Sequence, residues 1–319
     1  MATDWHFPRR DLAREVFVTL TQGPLPALTL FGPRRTGKTA FLTRDLAFVA
    51  GEQYGHRVVY ADFWGAPADP VALLILEADR ALRKASHAAR LADWAGRLPL
   101  TARLRMTGDI AGAEIALGPP QGAPDAGAVD RLGRVLGRVA DDRRPAILML
   151  DEFQEIDRHP GGKAFMAALR SILTRQRAGL RTVFTGSSRV GLDRVFSDRD
   201  APFFRFAGPL DLPGFGADFV AHQLAVFHAV YRRRLDPGVA ADFFARFGAN
   251  PMFFQRWLVA LGLNLALDEA AAAAETGARL ADELGYADHW RRWPPLRRAV
   301  ARLLAERRPL YAEAAAARA

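Results

Sequence analysis

Eight consecutive residues, Gly32-Pro33-Arg34-Arg35-Thr36-Gly37-Lys38-Thr39, fit the pattern G-x-x-x-x-G-K-[ST]. Two glycines let the backbone curl so that its N–H groups point at a phosphate chain. A lysine reaches the β- and γ-phosphates, and a threonine hydroxyl ligates Mg²⁺. The context suits that chemistry: the apolar run 27–31 ahead reads as a strand, and 40–49 behind reads as a helix whose positive dipole end adds to the anion site. A chance glycine-rich turn would need none of this context. The expected nucleotide-contacting set is therefore Gly32, Pro33, Arg34, Arg35, Thr36, Gly37, Lys38, Thr39 and the first helical residue, Ala40.

A second group completes such a site. Residues 145–150 (PAILML) read as a buried parallel strand, and Asp151-Glu152 follow at its carboxyl end, where open α/β sheets bind their ligands. Asp151 would join Thr39 in the Mg²⁺ shell, and Glu152 would orient and deprotonate an attacking water. Acidic pairs after a strand also serve simply as helix-start residues. The phosphate loop tips the reading toward chemistry.

These residues need a scaffold, and the flanking pattern supplies one. A short amphipathic helix is expected within 7–18, a strand at 57–62 ending on Asp62, and a helix at 69–84 with Ala72, Leu76 and Leu82 among its apolar positions. Weak alternation over 101–117 with central glycines reads as a β-hairpin, and 118–127 (GPPQGAPDAG) as an irregular loop. Helices at 129–139 and 163–177 bracket the Asp151 strand, and a further strand spans 180–185. Strands alternating with helices mean right-handed βαβ units and a parallel sheet. After Pro213 the pattern is helical only, with helices expected at 217–231, 238–247, 251–265 and 268–284. Residues from 293 form another unit with Leu296, Val300 and Leu303 on one face, and 311–318 start a last short helix. The expected architecture is an α/β P-loop core with a parallel sheet (1–212), a helical lid (213–289) and a partial winged-helix-like segment (290–319).

Composition bounds the rest. The 319 residues are half apolar, enough for a sizeable core, and no cysteine is present, which excludes disulfides, zinc–thiolate sites and iron–sulfur clusters. No secretory pattern opens the chain and no apolar run is long enough to span a bilayer, so a soluble cytoplasmic protein without a membrane partner is expected. The net charge is +9; from Trp290 onward eight arginines against two glutamates leave +6 of it. That tail is either a nucleic-acid footprint or a solvated arginine-rich face in a chain generally rich in Ala, Arg and Gly.

Gly32–Thr39, Asp151-Glu-Phe-Gln154, Thr185-Gly-Ser-Ser188 and Gly248-Ala-Asn-Pro251 together resemble the archaeal-type AAA+ ATPases, which lie with or close to the STAND P-loop NTPases. The likeness extends from about Phe7 to Pro251. It implies ATP and Mg²⁺ as ligands, bound between the α/β core and the lid. It implies that Ser187 or Ser188 senses the γ-phosphate, with helix capping as the ordinary alternative. Gly248–Pro251 would match the lid element on the adenine side, placing Pro251 there. Phe7-Pro-Arg-Arg10 corresponds to the family's N-terminal motif near the adenine, with Pro8 in place of the usual glycine. Phosphoryl transfer also calls for an arginine on the γ-phosphate, in cis or from a neighbouring copy. Arg189 follows the serines, and Arg205 lies where relatives carry Tyr-Gly-Arg, here Phe203-Phe204-Arg205. The tail resembles the first two helices of a winged helix-turn-helix, with the sequence ending at Ala319 ahead of a recognition helix and wing. That pattern fits a shortened chain or a unit reduced to a helical cap.

The implied function is an ATP-hydrolysing switch with an unidentified protein partner, nucleotide-dependent self-assembly and weak duplex-DNA contact through the tail. The alternative is a DNA-binding or regulatory module that holds nucleotide with little turnover. A small-molecule kinase is a third reading, against which the lid and the Thr185–Ser188 segment argue.

Overall fold

A computed structural model of the chain describes residues 3–64, 69–96, 126–141 and 143–306. The expected hairpin at 101–117, most of the loop at 118–127 and the short helix at 311–318 lie outside them.

His6–Gly214 form one compact unit; Phe215–Ala319, joined by Met1–Trp5, form another. The first is built on five parallel strands: β1 (Ala27–Phe31), β2 (Val58–Asp62), β3 (Ala146–Asp151), β4 (Leu180–Gly186) and β5 (Gly208–Asp211). Their order is β2-β3-β4-β1-β5. All six residues of β3 are buried, as a central parallel strand requires, and they alternate between two cores. Ala146, Leu148 and Leu150 face one layer with α3 (Pro70–Gly96), α4 (Ala126–Val139), α5 (Gly162–Arg175) and α6 (Arg189–Phe196). Ile147 and Met149 face the other, with α1 (Arg10–Gln22) and α2, which begins as Lys38–Ala40 and continues through π-helical turns Phe41–Leu46 and Phe48–Gln53.

Two differences from the sequence reading bear on the sheet and its cover. The first is β5, whose four residues, Gly-Pro-Leu-Asp, carry too little pattern to be seen. Pro209 has no N–H for a ladder and is tolerated because β5 pairs only with β1, at the sheet edge. The second is the buried face of α3, which is Val71, Leu74, Ile75 and Ala78, whereas Ala72, Leu76 and Leu82 are half-buried. The true stripe follows the i, i+3, i+4, i+7 spacing from Val71.

The second unit contains α7 (Ala217–Tyr231), α8 (Pro237–Arg246), α9 (Pro251–Leu263) and α10 (Glu269–Glu283), close to the expected spans. Asp236, Asn250 and Asp268 cap the last three through their side chains, which is why the starts were legible. Their core is aromatic: Trp257 is fully buried, stacks on Phe243 and donates its indole N–H to the Glu269 carbonyl at 3.2 Å. An additional short helix, α11 (Tyr286–Arg292), starts directly after Gly285, whose positive φ ends α10. It precedes α12 (Pro295–Ala305), which has no buried residue; Leu296 and Leu304 are exposed.

Candidate functional site

The carboxyl ends of the strands bring the phosphate loop, Asp151, Glu152 and Ser187 to one sheet edge; Arg205, ahead of β5, and Pro251, in the other unit, are not among them. β1 runs straight into the phosphate loop, β2 ends on Asp62, β3 on Asp151, β4 on Gly186 and β5 on Asp211. In the loop, Gly37 takes φ 82° and caps α2, a conformation that favours glycine, and Arg35 also has positive φ. A Cβ at Gly32 would sit 3.1 Å from Thr36 Oγ1 and 3.2 Å from Lys38 Cγ, so the curl closes tightly around the lysine stem. The buried Lys38 ammonium donates to the carbonyls of Gly32 (2.8 Å) and Pro33 (3.0 Å) and lies 3.7 Å from Glu152 Oε1. Burial pulls its pKa below the ordinary lysine value, and Glu152 and Asp151 oppose that fall. Arg34 lies exposed over the Trp64 ring at 4.5 Å.

Asp151 is the hub. Its Oδ2 accepts from Thr39 Oγ1 at 2.6 Å and from the Tyr60 hydroxyl at 3.1 Å. Its Oδ1 accepts from Thr185 Oγ1 and from the Glu152 amide. Thr39 and Asp151 come from elements separated by β4, so the sheet order is what makes them neighbours. Burial and the Asp151 charge push the Tyr60 hydroxyl far above its usual range, so it stays a neutral donor. Asp62 is also pushed up, first by burial and then by the charges of Asp151 and Glu152, against the pull of the Trp64 amide. Tyr60, Asp62 and Thr185 were not assigned roles from sequence. The available signal was positional: Tyr60 and Asp62 share one face of β2 at its carboxyl end, and Thr185 is a buried hydroxyl one residue before β4 ends.

Glu152 has φ 51°, an uncommon backbone for a non-glycine residue and one found disproportionately at functional sites. Its Oε2 accepts from Ser187 Oγ (2.7 Å), the Ser187 amide (3.1 Å) and Gln154 Nε2 (2.6 Å). Burial alone would raise its pKa; these hydrogen bonds and the Lys38 charge overcome that and hold the carboxyl below its ordinary value. The two serines left open in the sequence have different partners. Ser188 Oγ accepts from the Gly191 amide and caps α6, while Ser187 contacts Glu152.

No protein-family model matches the sequence, and no curated protein does. Solved structures do. The chain is similar to a Walker-type ATPase of Pyrococcus abyssi (TM-score 0.58, 16% identity, 91% of this chain and 76% of that one). It is similar to the Aeropyrum pernix Orc2 protein in its ADPNP–ADP complexes (TM-score 0.53, 16% identity, 83% of this chain and 66% of that one). It is also similar to the Aeropyrum pernix Orc1 protein in complex with DNA (TM-score 0.50, 17% identity, 92% and 70%). The chain has the fold of the archaeal-type AAA+ ATPases.

Within the α/β unit the two candidate arginines differ. Arg189 pairs with Asp211 at 3.0 Å and lies over the Phe31 ring at 4.1 Å, which ties it to the sheet edge. Arg205 is exposed with φ 52°, its guanidinium 5.1 Å from the Phe204 ring, on the loop before β5. The N-terminal motif is occupied structurally: Arg9 reaches the carbonyls of Pro213 and Gly214. Arg10 lies over Phe48 and 3.7 Å from the buried Asp45, which also meets His6 at 3.0 Å. In the helical unit Gly248 and Ala249 have positive φ, Asn250 caps α9 and Pro251 opens it, buried. Among the described residues no group of three or more His, Asp or Glu forms a metal cage. A Mg²⁺ held by one hydroxyl, one carboxylate, water and substrate oxygens needs none, and the adjoining Thr39 and Asp151 are donors of that kind. No described helix is long and apolar enough to cross a membrane.

Proposed function

We propose that this chain is an ATP-binding and ATP-hydrolysing molecular switch of the AAA+/STAND type, its nucleotide state coupled to its helical unit and to partners of the C-terminal segment. The observation that carries the reading is the convergence of Lys38, Thr39, Asp151 and Glu152, from two elements on either side of β4, within direct contact of one another. The loop amides of Gly32–Ala40 bind the phosphates, and Lys38 neutralises them. Thr39 and Asp151 hold Mg²⁺, which when bound offsets phosphate charge. Glu152 orients the attacking water and takes its proton, and Ser187 reports the γ-phosphate to it. Arg205, exposed and unattached to the sheet edge, is the arginine we assign to the nucleotide of a neighbouring copy.

Two measurements address turnover and assembly. Phosphate release from ATP should require Mg²⁺ and stop in excess EDTA. Light scattering should find a larger mass in a slowly hydrolysed ATP analogue than in ADP, a difference lost in Arg205→Ala. A second reading, a nucleotide-stabilised regulatory module with little turnover, draws on the three donors already on Glu152 Oε2. Tight nucleotide retention without phosphate release would favour it. An unchanged mass would remove Arg205 from a role in trans.

The C-terminal segment suggests a nucleic-acid partner. Arg291, Arg292, Arg297 and Arg302 are exposed on α11 and α12, with Arg297 and Arg302 over the rings of Trp293 and Trp290. Such a surface contacts phosphates without reading bases. Duplex DNA should bind at about 10⁻⁴–10⁻⁶ M with steep salt dependence. Replacing Arg297, Arg298 and Arg302 together should weaken binding equally for all sequences and flatten the salt slope. Fluorescence anisotropy at low salt checks this; binding indifferent to the triple replacement would point to a protein partner instead.

A further inference from the structure

Gln154 has no part in the mechanism above, yet its side chain is buried at 4% exposure inside the site. It follows Phe153, which is fully buried against Phe184 and Phe203, so its backbone is anchored. The side chain runs through a slot that only glycines leave open. A Cβ at Gly186 would lie 2.3 Å from Gln154 Oε1, and one at Gly191 2.8 Å from Gln154 Cγ. The amide points one way only: Nε2 faces Glu152 Oε2 at 2.6 Å and Glu155 Oε1 at 3.4 Å, so the reversed amide would set an oxygen against two carboxylates. Its Oε1 is buried with no hydrogen-bond partner among the described residues. An unmet buried carbonyl is unfavourable, and an apolar side chain of the same shape would avoid it. What the amide contributes in return is its N–H on Glu152.

We infer that Gln154 is a positioning residue: clamped between Gly186 and Gly191, it pins Oε2 of Glu152 and thereby turns Oε1 toward Lys38 and the phosphate loop. The inference rests on the proposed hydrolysis. Ser187 holds the same oxygen, but it is half-buried at the loop between β4 and α6, whereas Gln154 is enclosed. Oε2 of Glu152 is held by Ser187 on one side and by the enclosed amide on the other.

Gln154→Met fills the slot without the N–H. It should lower kcat by about 10–100-fold, the weight of one hydrogen bond to a charged group, and leave KM and nucleotide affinity unchanged. Gly186→Ala, which displaces the amide, should give the same split. In a Glu152→Gln background Gln154→Met should change nothing further, because the group it positions is gone. Wild-type kcat in both single variants, or an equal loss in the Glu152→Gln background, would overturn the inference while leaving hydrolysis standing. If the unaltered protein shows no Glu152-dependent turnover, the hydrolysis reading fails. Crystal structures of the unaltered protein and Gln154→Met then decide the pin: a carboxylate that keeps its direction without the amide rejects it.

Discussion

Lys38→Ala is expected to abolish tight ATP binding while the protein remains folded. The lysine is buried, yet it belongs to neither hydrophobic core; among the described residues its ammonium meets the loop carbonyls of Gly32 and Pro33 and the Glu152 carboxylate. Alanine removes the charge and a stem packed within the loop itself, so the loss falls on the loop and leaves the two hydrophobic cores of the sheet intact. What remains is a sheet edge with Asp62, Asp151 and Glu152 and no lysine between them and a polyphosphate, and like charges brought together oppose binding. Truncating one partner of a buried charged contact typically costs about 2–5 kcal/mol, or roughly 30-fold to several thousand-fold in affinity. Isothermal titration with ATP and Mg²⁺ measures it, and a thermal melt checks the fold. Unchanged affinity would remove the phosphate loop from nucleotide binding.

The legible parts of this molecule are those with local signals. The phosphate loop is a contiguous motif between a strand and a helix, and α8, α9 and α10 start on side-chain caps. The β3 strand is a continuous apolar run because both its faces are covered. What sequence did not reveal is set by long-range pairing. β5 exists because β1 offers it a ladder, not because Gly-Pro-Leu-Asp favours a strand. The hub around Asp151 joins residues over a hundred positions apart, and Tyr60 and Thr185 enter it only through sheet register, Asp62 opposite Asp151 and Leu150 opposite Phe184. The two serines after β4 look equivalent in sequence. Only the start of α6 separates them, because it takes Ser188 as its cap and leaves Ser187 to the carboxylate.

Glu152→Gln should keep ATP binding and lose about 10²–10⁴-fold in turnover, the usual weight of a positioned general base. The substitution is nearly isosteric, so the contacts of Asp151 with Thr39, Tyr60 and Thr185 stay in place, and the lysine keeps its loop carbonyls. An amide oxygen can still accept from Ser187 and Gln154, but the charge facing Lys38 at 3.7 Å disappears. Binding should therefore hold or tighten, because one carboxylate fewer confronts the phosphates. The pH profile of the unaltered protein sharpens the test. The Glu152 carboxyl is held below its ordinary value because its hydrogen bonds and Lys38 outweigh the burial that would raise it. A group with a depressed pKa stays ionised as pH falls, so Glu152-dependent turnover should persist down to the ordinary glutamate range and be lost only below it, provided the fold survives there. Single-turnover phosphate release against pH, compared in the two proteins, reads both effects. Release from Glu152→Gln at the unaltered rate would exclude Glu152 as the base and leave the site a nucleotide holder. An acid limb well above the glutamate range would assign the titration to another group.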